Sequence, residues 1–125
     1  MNITQLNGLT LYELAPEGAL LGADLSATDL IGEAYEANPD LLVVPITRLA
    51  RGFLDLSTRI AGEVFQKMEQ YNHRLVILGD ISTQLAASKA LQGFVYETNQ
   101  RAYHLFVPER SDLLARLAKD RKRTT

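Results

Sequence analysis

"LLVVPITRLARGFLDLSTRIAGEVFQKMEQYNHRLVILGD", Leu41 to Asp80, is the stretch on which the fold turns. It begins and ends with continuous apolar runs, "LLVV" and "LVIL", of the kind a strand buried on both faces requires. Between them Ile60, Ala61, Val64, Phe65, Met68 and Tyr71 recur at steps of three and four, which places them along one stripe of an amphipathic helix. The helix is expected to run from about Leu54 to Tyr71, with Ser57 and Thr58 in its first turn. A strand, a helix and a second buried strand make a crossover unit, and such units join parallel strands with a right-handed turn.

Outward from this unit the alternation continues. "STQLAASKALQGFVYETN" reads as a helix from Ser82, "AYHLFVP" as a third buried strand and "SDLLARLAKD" as a last helix. Upstream, "SATDLIGEAYEANP" sets Ser26 three residues before Asp29, a capping-box pattern, and lines up Ala27, Leu30, Ile31, Ala34 and Tyr35 before Pro39 ends the helix. "LTLYEL" alternates as a strand, and "APEG" offers Pro16 and Gly18 for a turn back into "ALLG", so an N-terminal hairpin is expected there. The predicted fold is α/β: one layered domain over residues 1–120, an N-terminal β-hairpin followed by alternating strands and helices on a mainly parallel sheet. The terminal "KDRKRTT" reads as a solvated basic tail, residues 121–125 lying beyond the domain.

Composition narrows the function. A chain of 125 residues, 46% hydrophobic and 22% charged, is suited to one core that buries roughly two-thirds of the unfolded surface. Thirteen basic against 15 acidic residues leave a net charge of -2, too little positive field for a nucleic-acid partner. The absence of cysteine removes disulfides, thiolate nucleophiles and cysteine-bound metals. No apolar run is long enough to span a bilayer and the first residues do not form a secretory signal, so a soluble cytoplasmic protein is expected.

In open α/β sheets, ligands sit beyond the carboxyl ends of the strands. That rule selects Arg48, Arg51, Asp55, Ser57 and Thr58 after the first parallel strand of the unit, and Asp80 and Ser82 after the next. Ser57, three and four residues before Ile60 and Ala61, is read as continuing the buried stripe to the helix start, where its hydroxyl caps free amides and the same amides could take an anion. Asp55 and Asp80 suit loop and cap positions as well as an acid pair. Gly62, costly inside a helix, fits either a close approach by another backbone or a glycine that the helix merely tolerates. Arg59, Glu63 and Lys67 form a solvated charge ladder. His73 and His104 lack a second histidine at metal-ligand spacing, and no nucleophile elbow or phosphate loop is present, so no catalytic residue, metal or cofactor is assigned.

"FLDLSTRIAGEVFQKMEQYNHRLVILGDIS" and "YETN" resemble a family of small bacterial proteins known as domain of unknown function 4180, over about Leu25 to Val107. A wider resemblance is to STAS domains, found as anti-sigma factor antagonists and on sulfate transporters. There a buried strand leads through a loop to Asp, then to serine or threonine at a helix start, as "LLVVPI", Asp55, Ser57 and "LVILGDIS" do here. The resemblance implies a non-catalytic regulatory domain with a protein partner, switched by phosphorylation at Ser57 with Thr58 as its neighbour. Where those domains place a glycine just after the serine pair, this chain has Arg59 and Ile60. The competing reading is a small-molecule or anion receptor, or an enzyme, built on Arg48, Arg51, Asp55, Asp80 and Ser82. Self-association is left open by either.

Overall fold

The structure, a computed structural model, describes residues 2–119; the basic tail expected at 121–125 lies outside the described residues. Among these the sheet has five strands in chain order: β1 (Asn2–Leu6), β2 (Leu9–Glu13), β3 (Leu41–Pro45), β4 (Arg74–Leu78) and β5 (Leu105–Val107). β1 and β2 are antiparallel, and every later pairing is parallel, with Leu42 opposite Tyr12 and Leu75. The single mixed sheet with its leading hairpin is the α/β architecture read from sequence.

The hairpin itself lies one strand earlier than expected. Leu6 pairs with Leu9, leaving Asn7 and Gly8 as a two-residue loop, both with positive φ (52° and 81°). Asn-Gly suits such a loop because the mirror-image turn that matches strand twist needs left-handed backbone at both positions. "APEG" instead forms a loop, and Leu21 of "ALLG" makes isolated bridges to Leu25 and Leu49.

Helices α1 (Ala27–Ala34), α2 (Ile60–Gln70), α3 (Ser82–Ala87), α4 (Lys89–Arg101) and α5 (Arg110–Lys119) complete the chain. The capping box is present: Asp29 N–H donates to Ser26 Oγ and Ser26 N–H to Asp29 Oδ2, both at 3.1 Å. Ala27, Leu30 and Ala34 of α1 are buried, but Tyr35 falls in the 3-10 turn that follows and is 78% exposed. The long helix expected from Ser82 breaks at Ser88, whose extended backbone and side chain cap α4 by accepting Leu91 N–H at 3.0 Å. Serine competes in this way with continued helix because its hydroxyl satisfies an amide that has no helical partner.

Strand alternation sorts the core into two layers. Tyr12, Leu42, Val44, Leu75, Ile77 and Phe106 meet Leu30, Phe65, Met68 and Phe94 on the face covered by α1, α2 and α4. Leu9, Leu11, Leu41, Val43, Val76, Leu105 and Val107 turn to the other face, where α5 supplies Leu113 and Leu117. α5 is latched at both ends: Arg110 pairs with the nearly buried Glu13, which also accepts from Thr4 Oγ1 at 2.7 Å, and Asn7 Nδ2 donates to the Leu117 carbonyl at 3.5 Å.

The outer edge of β5 is closed by a side chain. Asn99 Oδ1 accepts Phe106 N–H at 2.8 Å and Asn99 Nδ2 donates to the Phe106 carbonyl at 3.1 Å, so one amide supplies the bonds that a further strand would make. Arg116 of α5 holds the Asn99 carbonyl at 2.8 Å.

Leu113 is fully buried against the second face while Leu114 is 37% exposed. Leu113→Ala should therefore cost about 2–5 kcal/mol in chemical denaturation, whereas Leu114→Ala should change stability by less than about 1 kcal/mol.

Candidate functional site

The parallel strands finish at one edge, and the loops leaving it carry the residues singled out above. Directly after β3 a 3-10 turn, Ile46–Arg48, directs Arg48 inward. Its Nε donates to the Ala19 carbonyl at 2.7 Å, and Nη1 lies 3.0 and 3.3 Å from the carbonyls of Ala15 and Glu17. Arg48 is buried, so its charge braces the 15–19 loop instead of facing solvent. A Cβ at Gly18, whose φ is +145°, would lie 2.7 Å from the guanidinium carbon, and this glycine is what lets the loop close on the arginine. Arg51, three residues on, is exposed.

Asp55 opens a second 3-10 turn, Leu56–Thr58: its Oδ1 accepts Ser57 N–H at 3.1 Å and Ser57 Oγ–H at 2.7 Å. These bonds, the side-chain one first, hold the Asp55 carboxyl below its ordinary range. Thr58 Oγ1 lies 2.8 and 2.9 Å from the carbonyls of Gly52 and Asp55 and accepts Ile60 N–H at 3.3 Å. Arg59 then turns left-handed, φ 66°, before α2 starts at Ile60. Ser57 is therefore exposed and precedes α2 by its own turn. The expectation that it continues the buried stripe at the helix start is corrected, because Asp55 and Thr58 offer these amides a non-helical set of partners. The amide at the true helix start is served by Thr58.

Asp80 repeats the device after β4, accepting Ser82 N–H at 2.9 Å at the start of α3. That backbone bond, helped by the Ser82 hydroxyl, lowers its carboxyl from the ordinary value. Between the β3 loop and the α3–α4 junction lies a groove of about 470 Å³, with an apolar wall from Ile46, Leu49, Phe53 and Leu54 and a polar rim from Asp55, Gln84 and Ser88. Asp80 and Ser82 are not among its walls, so the two aspartates do not share this groove. Gln84 and Ser88 were not singled out from sequence; a serine inside a long helical pattern was the available signal.

A second cleft, about 260 Å³, separates α2 from α4 and is floored by Tyr103 and His104. His104 is 4% exposed, stacks on Phe65 at 4.8 Å, and its Nδ1 accepts Leu75 N–H from β4 at 3.0 Å. That bond leaves the neutral ring's proton on Nε2. Nε2 has no hydrogen-bond partner; Glu69 Oε2 stands 3.5 Å away, while Glu69 Oε1 is held by Arg101 at 3.1 Å. Burial pushes the His104 imidazole below its ordinary value, outweighing Glu69 and the Phe65 carbonyl, which act the other way, and Arg101 and Arg74 add to the lowering. Gly62, on the α2 wall, has no backbone packed against it: a Cβ there would meet nothing within 4 Å, which removes the close approach from the two readings made from sequence.

The fold and its loop edge define a small mixed α/β domain with a short polar turn ahead of its second helix. The chain belongs to the family described as domain of unknown function (DUF4180), whose model matches residues 6–117. No curated protein and no solved structure matches the chain. Among the described residues no helix is long and apolar enough to cross a membrane.

His104 binds its proton less readily when folded than the ordinary imidazole, near 6.5, of the unfolded chain, and His73 is lowered in the same direction by partial burial. The unfolded state therefore takes up more protons below about pH 6.5, and stability falls as pH drops through that value. Thermal unfolding followed from pH 7.5 to 5.5 should show a falling Tm (about two pH units, spanning the free histidine range). His104→Gln, which keeps an acceptor for Leu75 N–H, should flatten that dependence to what His73 contributes.

Proposed function

We propose that this chain is a STAS-like, non-catalytic regulatory domain of the cytoplasm that binds a protein partner through the Leu56–Thr58 turn, the start of α2 and the adjoining groove, with Ser57 as its switch. One observation carries the reading: Arg51, Asp55, Ser57 and Thr58 are all exposed on the loop that leaves β3, beside a groove whose wall is apolar and whose rim is polar. Such a surface suits an apolar side chain of a partner flanked by hydrogen bonds. A second observation supports the comparison with STAS domains. The position where those domains carry glycine is Arg59 here, and its φ of 66° is the left-handed backbone that favours glycine. The residue type differs while the conformation is the one glycine would adopt.

The same geometry gives the switch a physical means. Ser57 Oγ donates to Asp55 at 2.7 Å, and phosphorylation removes that proton and sets about −1.5 to −2 charge against the carboxylate. Repulsion would open the Asp55–Ser57 turn and reshape the edge. The receptor reading has less to stand on, because Arg48 is already occupied by three carbonyls.

Immobilised wild-type and Ser57→Ala proteins should capture the same partner from a lysate of the native host, and Ser57→Asp should lose it. Equal capture by all three proteins argues against a switch at this position. Intact-mass measurement of the natively expressed protein should then locate a phosphate on Ser57 or Thr58.

A further inference from the structure

The cleft between α2 and α4 ends on an N–H that makes no well-formed hydrogen bond, although the Phe65 carbonyl and Glu69 stand close to the ring. His104 Nδ1 is committed to Leu75 N–H, so Nε2 carries the ring proton, and it is buried 3.5 Å from Glu69 Oε2. Arg101 grips the other oxygen of the same carboxylate at 3.1 Å. Two donors thus converge on one carboxylate that, tethered to α2, satisfies only the arginine. A buried donor left in this state is costly, and a better-placed acceptor would relieve it.

We propose that this cleft binds a small carboxylic acid with a flat apolar body, its carboxylate replacing that of Glu69 between Arg101 and the Nε2–H of His104. The walls suit such a body: Phe65 and Phe94 stack at 5.5 Å with 14° between their planes, and Tyr103 stands edge-on to His104 at 4.9 Å. Planar groups lie well against such rings. Its size, about 260 Å³, falls below the roughly 300–1,000 Å³ of sites for drug-sized ligands, so the occupant is small. Gly62 fits the same purpose. Glycine weakens a helix interior, and here no neighbour fills the space a side chain would occupy, so its effect is to widen the mouth of the cleft.

Charge and tautomer exclude the nearest alternative. A divalent cation would need a free lone pair on Nε2, yet the Leu75 bond keeps the proton there, and Arg101 stands at the same carboxylate. A carboxylate meets Arg101 and the ring N–H directly. Glu69, with its side chain 37% exposed, can turn to solvent when displaced, because an exposed ion pair holds it only weakly.

Benzoate, titrated into the full chain and followed by two-dimensional NMR of backbone amides and the His104 ring N–H, tests the site. Benzoate should shift Phe94, Tyr103 and the His104 ring resonance, while acetate and benzamide bind roughly tenfold more weakly or worse. Glu69→Gln weakens the internal competitor and should tighten benzoate several-fold. Gly62→Leu should abolish binding without lowering the Tm, and Arg101→Gln should abolish it as well. The proposal is overturned if neither the wild type nor Glu69→Gln binds benzoate at millimolar concentration. Equal binding of benzamide, or binding that survives Gly62→Leu, overturns it too.

Discussion

Parallel pairing of β3 with β4 is the constraint from which the rest follows. Leu42, Val43 and Val44 opposite Leu75, Val76 and Ile77 leave no polar face between them, so both sides of the sheet must be covered. Three crossover helices cover one side as a consequence of connectivity. Among the described elements the other side depends on α5 alone, and the ion pair between Arg110 and the nearly buried Glu13 sets that helix at the end of β2. Glu13 is itself held by Thr4 from the hairpin, so β1, β2 and α5 are joined through one carboxylate.

The same parallel sheet fixes where chemistry can gather. With β3 and β4 ending side by side, their loops emerge together; Arg48, just past β3, is spent on bracing the 15–19 loop that follows β2, while Asp55, Ser57 and Thr58 form a defined turn at the surface. The His104 cleft is positioned differently. It lies between α2 and α4, and its floor at His104 is pinned by a hydrogen bond from the backbone of β4. One edge is thus made of local turns, the other cleft of contacts between distant elements.

That difference explains what could be read from the chain. β3, α2, β4 and the capping box of α1 rest on apolar spacing and on residues three or four apart, which sequence displays directly. Turns depend on which of several competing local bonds wins. Asn7-Gly8 outranked "APEG" because left-handed backbone was needed at two successive positions, and Ser88 divided one long apolar pattern into α3 and α4. Ser57 looked like a helix residue for the same reason, although Asp55 and Thr58 satisfy its neighbourhood without a helix. His104, Glu69 and Arg101 could not be grouped from sequence at all: Glu69 and Arg101 lie 32 residues apart and meet only because two helices pack on one sheet face.

The lone helix on the second face also has a temporal meaning. A chain emerges from the ribosome in order, and α5 is the last of the described elements to be made. Without it, Leu9, Leu11, Leu41, Val43, Val76, Leu105 and Val107 would form an open apolar sheet surface. Exposed apolar sheet surface of this kind is what makes partly folded chains prone to aggregate. Among the described elements, α5 is thus the one whose docking closes the second face of the sheet.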